Sequence, residues 1–481
     1  MYATAALGLI AFLLGLILTP LCRKVAKRYN LVDKPDAKRK LHGTPTPRIG
    51  GVAVVLAYAG SIGLLLLLTP ASKALHIQHG ELLKSLLPGA VIIFLTGLID
   101  DVIGLKPVQK LAGEVLGAAV ALGLGMYFSP TTFSVATNHP FFAHYWFTIP
   151  LSMVWLVACT NAVNLIDGLD GLASGVGLFA SVAVLLVGAL TGHSGLVLAT
   201  MPLVGALLAF LCYNFNPASI FLGDCGSLTI GFMLGVFSLV WSSSSPSLLG
   251  MAPPLMVLAL PLIDVVLAIC RRYLRRVPIF SADRGHIHHI MQARGYKPYQ
   301  TALILYGVCA VAAGLSLLPL LNIQYMRYAV PLVFAALVVA GLRYLNYVEF
   351  GSARRVFSRH HLRRVVKDDV YLDELDKSLA TASSVDDCWQ QTCAVCSDLH
   401  FVAANMYFDG RYYEAALTEH PSDHQWQMTL PLGERGYLRL SRCSEDAPPQ
   451  VTFQALTRLR RVYAAREQKP LTTAFHLHDA A

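Results

Sequence analysis

Five aspartates lie at the ends of apolar runs, and they are the residues of this chain best suited to chemistry. They are Asp100, Asp101, Asp167, Asp170 and Asp224. Carboxylates at a membrane edge are costly, so they are usually retained for a function. Gathered together they would repel one another unless some are protonated or a cation joins them. Oxygen-rich clusters suit Mg²⁺ or Mn²⁺, so we predict a divalent-cation site, although each aspartate alone could simply cap a helix or form a turn.

The segment NAVNLIDGLDGLASG places amide side chains beside two of these acids. Asp167 and Asp170 are three residues apart and share a face if the segment is helical. Asn161 and Asn164 precede them at matching spacing and would extend the same polar stripe. The glycines here also fit ordinary close packing of membrane helices. Packing alone does not explain the polar stripe.

A basic loop carries the three histidines His286, His288 and His289. The arginines around them are Arg271, Arg272, Arg275, Arg276, Arg284 and Arg294. Zinc would need cysteine or acidic ligands at suitable spacing, which the loop lacks. A cluster of histidine and arginine is better suited to binding phosphate, and the alternative is a merely solvated loop.

Two further cations border the acidic segments. Arg48 precedes Gly50 and Gly51 at a predicted helix start, where backbone amides and a guanidinium could meet a diphosphate. Lys110 follows Asp101 by nine residues. Acids for a divalent metal and cations for phosphate predict phosphoryl transfer between a soluble, charged donor and a lipid-borne acceptor.

The composition shows what must position these residues. The chain has 481 residues, of which 55% are hydrophobic and 14% charged, against about 25% charged in soluble domains. We predict an all-α polytopic membrane protein with about eleven transmembrane helices. The third and eighth candidates are short enough to be tilted or partly re-entrant. The candidates span residues 3–21, 49–69, 86–101, 109–127, 147–163, 172–191, 195–213, 227–242, 250–270, 301–320 and 327–346.

Charge distribution predicts the orientation of these helices. The first apolar run has its basic residues after it rather than before it, which favours a permanent helix over a signal peptide. Residues 22–48 and 271–300 are rich in lysine and arginine, so we place them in the cytoplasm. Alternating the spans then puts all the polar clusters on the cytoplasmic face. We attribute the basic face to topology and to anionic substrates or lipid head groups, not to nucleic acid.

The chain changes character after the last apolar run. We assign residues 1–346 to the transmembrane domain and residues 347–481 to a small cytoplasmic α+β domain. Residues 399–442 have the pattern of short strands, with turns at Asp409-Gly410 and Gly433. This domain shows no catalytic constellation, and its role, regulatory or purely structural, is left open.

Five ordered stretches of the membrane part resemble one known family, the polyprenyl-phosphate N-acetylhexosamine-1-phosphate transferases. They are VDKPDAKRKLHGTPTPRIGG, GLIDDVIGLKPVQKLAGE, TNAVNLIDGLDGLASG, FNPASIFLGDCGSL and DRGHIHHIM. The resemblance implies a Mg²⁺-dependent transfer of a sugar 1-phosphate from a UDP-sugar to undecaprenyl phosphate, with release of UMP. It also implies a multi-pass protein of the bacterial inner (cytoplasmic) membrane that starts cell-envelope polysaccharide synthesis.

The resemblance, together with the patterns around Arg48 and Asp170, gives expected roles to residues of this chain. Metal ligands are expected at Asp224, Asn164 and Asp167. Catalytic carboxylates are expected at Asp100, Asp101, Asp167 and Asp170. Substrate contacts are expected from Arg48, Lys110, Asn164, Phe221, His286, His288 and His289, with Phe221 stacking on uracil.

Two departures within the motifs bear on the donor sugar. This chain has PRIGG and HIHH where the related muramoyl-pentapeptide transferase of peptidoglycan synthesis typically has TMGG and three consecutive histidines. Both departures favour an N-acetylglucosamine donor, while other N-acetylhexosamines and the muramoyl-pentapeptide alternative stay open. A transporter is disfavoured because the acids lie at helix ends, and a CDP-alcohol phosphotransferase because its arginine is absent. A homodimer is left open.

Overall fold

The apolar runs of the sequence form α-helices in the computed structural model. The chain divides into two compact units, Met1–Tyr347 and Val348–Ala481. The structure describes residues 2–33, 45–68, 72–129, 144–243, 252–274, 285–345 without 322 and 324, 371–418 without 373 and 383, 425–443 without 434 and 435, and 452–467. Arg275, Arg276 and Arg284 of the predicted basic loop lie outside these residues.

The first unit is built from helices and one two-stranded bridge. Strands β1 (Val32–Asp33) and β2 (Thr46–Pro47) pair antiparallel. The helices are α1 (Tyr2–Arg28), α2 (Gly50–Leu68), α3 (Ser72–Ile103), α4 (Pro107–Gly123), α5 (Tyr145–Ile166), α6 (Leu172–Thr191), α7 (Ser194–Asn214), α8 (Gly223–Ser243), α9 (Ala252–Val257), α10 (Ala259–Leu274), α11 (Ile287–Ala293), α12 (Pro298–Leu317) and α13 (Met326–Tyr344).

Eight helices within the described residues are long and apolar enough to cross a membrane. This confirms a helical, multi-pass membrane unit, while the count of eleven spans stays a prediction. Helices α4 and α10 have only 17 and 16 residues. The third and eighth candidates are not short, since their spanning segments Leu82–Ile103 and Gly223–Ser242 have 22 and 20 residues.

Helix α8 lies at the centre of the unit, with 94% of its apolar segment buried. Apolar side chains gain little by leaving lipid for protein, so close backbone approach between small residues drives helix packing in membranes. A Cβ on Gly51 of α2 would lie 2.1 Å from the Gly226 nitrogen of α8. A Cβ on Gly97 of α3 would lie 2.5 Å from the Asp224 carbonyl oxygen. These contacts hold the ends of α2 and α3 directly against the start of α8.

The second unit contains a four-stranded antiparallel sheet. Its strands are β3 (Ala403–Phe408), β4 (Arg411–Ala416), β5 (Gln425–Pro431) and β6 (Gly436–Cys443), in the order β4-β3-β6-β5. The same unit contains helices α14 (Val385–Asp398) and α15 (Thr452–Glu467).

Sequence pattern explains the strands of this second unit. Asp409 and Gly410 have φ values of 49° and 81°, which suits the two-residue turn predicted between β3 and β4. Met406, Phe408, Leu438 and Leu440 are buried on one face of the sheet, as strand alternation requires. This unit has its own hydrophobic core.

The glycine contacts predict a difference between two positions of α2. We expect Gly51→Ala to destabilise the protein by about 1–3 kcal/mol, because the added methyl group meets only backbone atoms of α8. Gly63→Ala is the matched control, since a Cβ there meets nothing within 4 Å. Thermal unfolding of both variants in detergent measures the effect. Equal midpoints for the two variants would contradict the close packing of α2 against α8.

Candidate functional site

Asp101, at the end of α3, holds the beginning of α8. Its Oδ1 accepts the backbone N–H of Asp224 and its Oδ2 accepts that of Cys225, both at 2.9 Å. The first amides of a helix have no partner within the helix, so this carboxylate caps α8 from a neighbouring helix. Gly223 has φ 75°, and a Cβ there would lie 2.0 Å from the Arg48 carbonyl oxygen. Glycine is required at this position.

Arg48 contacts both acids of the pair at the end of α3. Its Nε lies 3.5 Å from Asp101 Oδ1, and its Nη2 donates to the Asp100 carbonyl oxygen at 3.4 Å. Its guanidinium therefore lies at the acid cluster, where we predicted a phosphate-binding cation. With 37% of its side chain exposed, it can also be reached from outside.

The neighbouring backbone amides do not have the role predicted for them. The N–H groups of Gly50 and Gly51 donate to the carbonyl oxygens of Phe221 and Leu222 at 2.9 and 2.7 Å. The prediction that these two amides bind a diphosphate is wrong, because both are used to join α2 to the segment before α8.

Lys110 lies at the centre of the cluster. Its Nζ is 2.6 Å from Asp224 Oδ2, 3.2 Å from Asp100 Oδ2 and 3.1 Å from Asn164 Oδ1. Asn164 Nδ2 in turn donates to Asp224 Oδ1 at 2.8 Å and to Ser227 Oγ at 2.9 Å. Residues from α3, α4, α5 and α8 thus meet around one ammonium group.

Asp167 lies in the turn between α5 and α6, next to this network. Burial raises the pKa of the Asp167 carboxyl well above its usual range, and the negative charges of Asp224, Asp101 and Asp170 raise it further. Lys110 opposes this shift. The charges of the neighbouring acids and of Lys110 thus act on Asp167 as well.

Asp170 has a different set of partners. Its Oδ2 accepts Asn216 Nδ2 at 2.8 Å and the backbone N–H of Ala218 at 3.0 Å. These residues belong to the loop that leads into Phe221 and α8. The described contacts of Asp170 therefore support this loop, and they do not join the acids around Lys110.

The histidine segment approaches the same turn from the other side. His288 is 2% exposed, and its Nε2 has no hydrogen-bond partner among the described residues. A Cβ on Gly168 would lie 2.7 Å from this nitrogen, so the ring faces the residue that follows Asp167. The rings of His288 and His289 have centroids 4.2 Å apart. The fold thus brings the histidines to the aspartate turn.

Two buried acids of the site escaped the sequence analysis. Asp264 of α10 is 1% exposed and bonds to His286 and Ile287. Glu114 of α4 is 1% exposed and accepts a hydrogen bond from Asn161. Each is an acidic residue within an apolar run, where a charge is costly. That cost is the sequence signal that could have identified them.

The site can be tested against the predicted Mg²⁺. Within the described residues, no three His, Cys, Asp or Glu side chains form a ready-made metal site. Oxygen atoms of Asp100, Asp224 and Asn164 nevertheless converge on Lys110. Mg²⁺ is commonly held by one or two carboxylates together with water and substrate phosphates. This donor set fits such a partial site, with Asp224 as the charged ligand and Asn164 beside it.

The capping role of Asp101 predicts a stability difference between the paired acids. In Asp101→Asn the side-chain NH₂ group replaces one carboxylate oxygen. It then faces a backbone N–H of α8, and two donors cannot bond to each other. We expect a loss of about 1–3 kcal/mol, seen as a lower thermal midpoint. Asp100→Asn is the control, because an amide oxygen can still accept the Leu105 N–H that Asp100 Oδ1 accepts at 2.6 Å. It loses the contact of Asp100 Oδ2 with Lys110, but Lys110 keeps Asp224 and Asn164 as partners. A midpoint no lower for Asp101→Asn than for Asp100→Asn would refute the cap.

The burial of His288 predicts a pH dependence of stability. Burial, and then the neighbouring His289, lower the pKa of His288 to about 3 from an unfolded value near 6.5. Between these values the unfolded chain binds a proton that the folded protein does not, so acidification through this window lowers the free energy of unfolding.

We expect the wild-type midpoint to fall more than that of His288→Gln, by about 2–4 °C, between about pH 7 and about pH 5. His289→Gln keeps the buried ring and is expected to follow the wild type. Identical pH dependence for the wild type and His288→Gln would show that this ring does not contribute.

Known proteins resemble the chain over most of this membrane unit. The sequence profile described as glycosyl transferase family 4 matches residues 83–242. A Bacillus subtilis (strain 168) protein named "probable undecaprenyl-phosphate N-acetylglucosaminyl 1-phosphate transferase" is 34% identical over 302 residues, covering 62% of this chain and 80% of that protein. The Mycobacterium tuberculosis (strain H37Rv) "decaprenyl-phosphate N-acetylglucosaminephosphotransferase" is 34% identical over 364 residues, covering 70% and 87%.

A more distant relative has a similar name. The Escherichia coli (strain K12) "undecaprenyl-phosphate alpha-N-acetylglucosaminyl 1-phosphate transferase" is 26% identical over 301 residues, covering 62% of this chain and 78% of that protein. Identity of 34% over four fifths or more of two relatives, together with the profile match, establishes the family. The chain is a member of glycosyl transferase family 4, among the polyprenyl-phosphate N-acetylglucosamine-1-phosphate transferases.

Proposed function

We propose that the protein transfers N-acetylglucosamine 1-phosphate, or a related N-acetylhexosamine 1-phosphate, from a UDP-sugar to undecaprenyl phosphate and releases UMP. The names of the relatives support the sugar phosphate and the polyprenyl phosphate. The observation that carries the proposal is the convergence of Asp100, Asp224 and Asn164 on Lys110 at the ends of membrane helices. A lipid phosphate and a soluble nucleotide can meet at that depth.

The acceptor phosphate is the nucleophile in this proposal. A phosphate monoester has a second pKa near 6, so it is largely dianionic at neutral pH and needs little help from a base. One of its oxygens forms a bond to the β-phosphorus of the UDP-sugar, and the bond from that phosphorus to the bridging oxygen breaks. UMP leaves with that oxygen, and the sugar 1-phosphate stays on the lipid.

The carboxylates of the site have separate roles in this reaction. Asp100 borders the network beside Lys110 and is placed to take a residual proton from the acceptor. Asp224 would hold Mg²⁺, with Asn164 beside it and Asp167 in the adjoining turn. When bound, Mg²⁺ would neutralise charge on the diphosphate and on the leaving group. Asp101 and Asp170 support the elements that carry these residues.

The cations of the site serve the donor. Lys110 already contacts two carboxylates, and a compact ammonium can shift to an arriving phosphate without changing its helix. His288 faces the Asp167 turn, with His289 packed against it, and the two rings would contact the diphosphate there. Phe221, which precedes α8 closely, is the aromatic that would stack on uracil.

The placement in the cell follows from the charge pattern and belongs to the same proposal. The basic segments support an orientation in which the acid cluster and the second unit would be on the cytoplasmic side of a bacterial inner membrane. The product lipid would then start a cell-envelope polysaccharide. The muramoyl-pentapeptide alternative finds no support in the relatives' names, each of which specifies N-acetylglucosamine.

A reconstituted assay tests the proposed activity. Purified protein, Mg²⁺, undecaprenyl phosphate and a panel of UDP-sugars are expected to give UMP and lipid product with UDP-N-acetylglucosamine. Failure with every N-acetylated sugar would overturn the proposal. Labelled phosphosugar trapped on the protein, with UMP released in the absence of acceptor, would replace direct displacement by a covalent aspartyl intermediate.

One substitution tests the metal assignment within this assay. Asp224→Asn is expected to lower turnover by about a hundredfold or more, because the carboxylate that would hold Mg²⁺ is lost. Asp386→Asn in the second unit is the matched control and should keep wild-type turnover, since Asp386 is exposed and its contacts with Tyr413 and Arg411 lie within that unit. Near-normal turnover of Asp224→Asn would contradict the assignment.

A further inference from the structure

Asp264 is a buried carboxylate that the proposed reaction does not use. It lies in α10 between apolar residues, in the segment PLIDVVLAI, and is 1% exposed. A charged side chain in such a run is costly unless its oxygens are satisfied. Here both oxygens are satisfied by the histidine segment, so the carboxylate joins α10 to that segment.

The contacts of Asp264 are specific. Its Oδ2 lies 2.9 Å from His286 Nδ1, and its Oδ1 accepts the backbone N–H of Ile287 at 2.9 Å. One carboxylate therefore fixes both the ring of His286 and the first turn of α11. Because a carboxylate only accepts hydrogen bonds, Nδ1 of His286 must carry the proton.

Fixing His286 also fixes the rings that follow it. His286 and His288 are nearly parallel, with an angle of 10° and centroids 5.9 Å apart. His288 packs against His289 at 4.2 Å and faces Gly168. The anchor at Asp264 is thus connected, ring by ring, to the turn that carries Asp167.

We propose that Asp264 is a positioning residue for donor binding: it holds His286 and the start of α11 so that the histidines face the Asp167 turn. This inference rests on the proposed function, in which the histidines contact the diphosphate of the donor. Asp264 itself touches neither the acids around Lys110 nor the donor. Its loss should weaken donor binding and leave acceptor binding largely unchanged.

A double-mutant cycle on the full chain distinguishes this role from general support. Asp264→Asn and His286→Asn are each expected to raise the KM for UDP-N-acetylglucosamine about tenfold, with little change in the KM for undecaprenyl phosphate. The double variant should have a donor KM no higher than that of the more impaired single variant, because both substitutions break the same anchor. The inference would be overturned if the increases in donor KM of the two single variants multiplied in the double variant. A wild-type donor KM in Asp264→Asn would also overturn it.

Asp170 provides a matched control for this cycle. It is another carboxylate that accepts one backbone amide and one side-chain donor, but it supports the loop around Ala218. The effects of Asp170→Asn and His286→Asn on donor KM should therefore multiply. If the Asp170 pair is coupled as strongly as the Asp264 pair, the link is not specific and the inference fails.

A spectroscopic measurement on the wild-type protein is independent of activity. In wild-type protein with ¹⁵N-labelled histidine, the His286 signal, assigned by its loss in His286→Asn, is expected to show a protonated Nδ1. An unprotonated Nδ1 would overturn the inference. If the wild type transfers no sugar phosphate at all, the proposed function fails, while this measurement still decides whether Asp264 holds His286.

Discussion

The two hydrogen bonds from the first turn of α8 to Asp101 are the contact on which the site depends. Asp224 is the second residue of α8, so its position follows from where that helix begins. Helix-start amides attract negative charge, and this offsets part of the repulsion between Asp101 and Asp224. Arg48 adds a positive charge on the same carboxylate. Without this cap, the acid that contacts Lys110 and Asn164 would have no fixed location.

Asp170 and Asp264 use carboxylates in the same way. Each accepts one backbone amide and one side-chain donor from another element. In a medium of low dielectric, a satisfied polar network is strong and an unsatisfied one is costly, so such contacts specify one arrangement. Three acids therefore fix the positions of α8, the loop before it and α11. Asp100 and Asp224 instead share the ammonium of Lys110.

The sequence predicted the convergence of the acids but not this separation of roles. Asp100, Asp101 and Asp224 all lie at ends of apolar helices, and alternation of spans places such ends on one face. Nothing in the spacing distinguishes Asp101, which faces the backbone of α8, from Asp100, which faces Lys110. That distinction arises from close packing at Gly97 and Gly223, a tertiary contact with no local signal.

Other differences between the sequence prediction and the structure also arise from tertiary contacts. The amides of Gly50 and Gly51 resemble a free anion site in sequence, yet they bond to carbonyl groups more than 170 residues later. Asp264 was missed because a single acid inside an apolar run carries no motif, although the cost of burying it should have marked it. Glu114 ends the stretch GLIDDVIGLKPVQKLAGE, yet nothing in that stretch indicates that its partner is Asn161. The helices themselves were predictable, since long apolar runs can satisfy their backbone in lipid only as helices.

The charge balance around Lys110 connects this architecture to the chemistry. Its ammonium has three N–H donors, and three oxygen atoms of Asp100, Asp224 and Asn164 lie within 3.2 Å of it. The planar fork of an arginine would not match three acceptors from three helices. Two carboxylates and one ammonium leave one negative charge, while Arg48 balances Asp101. A site with that residual charge favours a divalent cation and disfavours a bare diphosphate, so the two are expected to bind together.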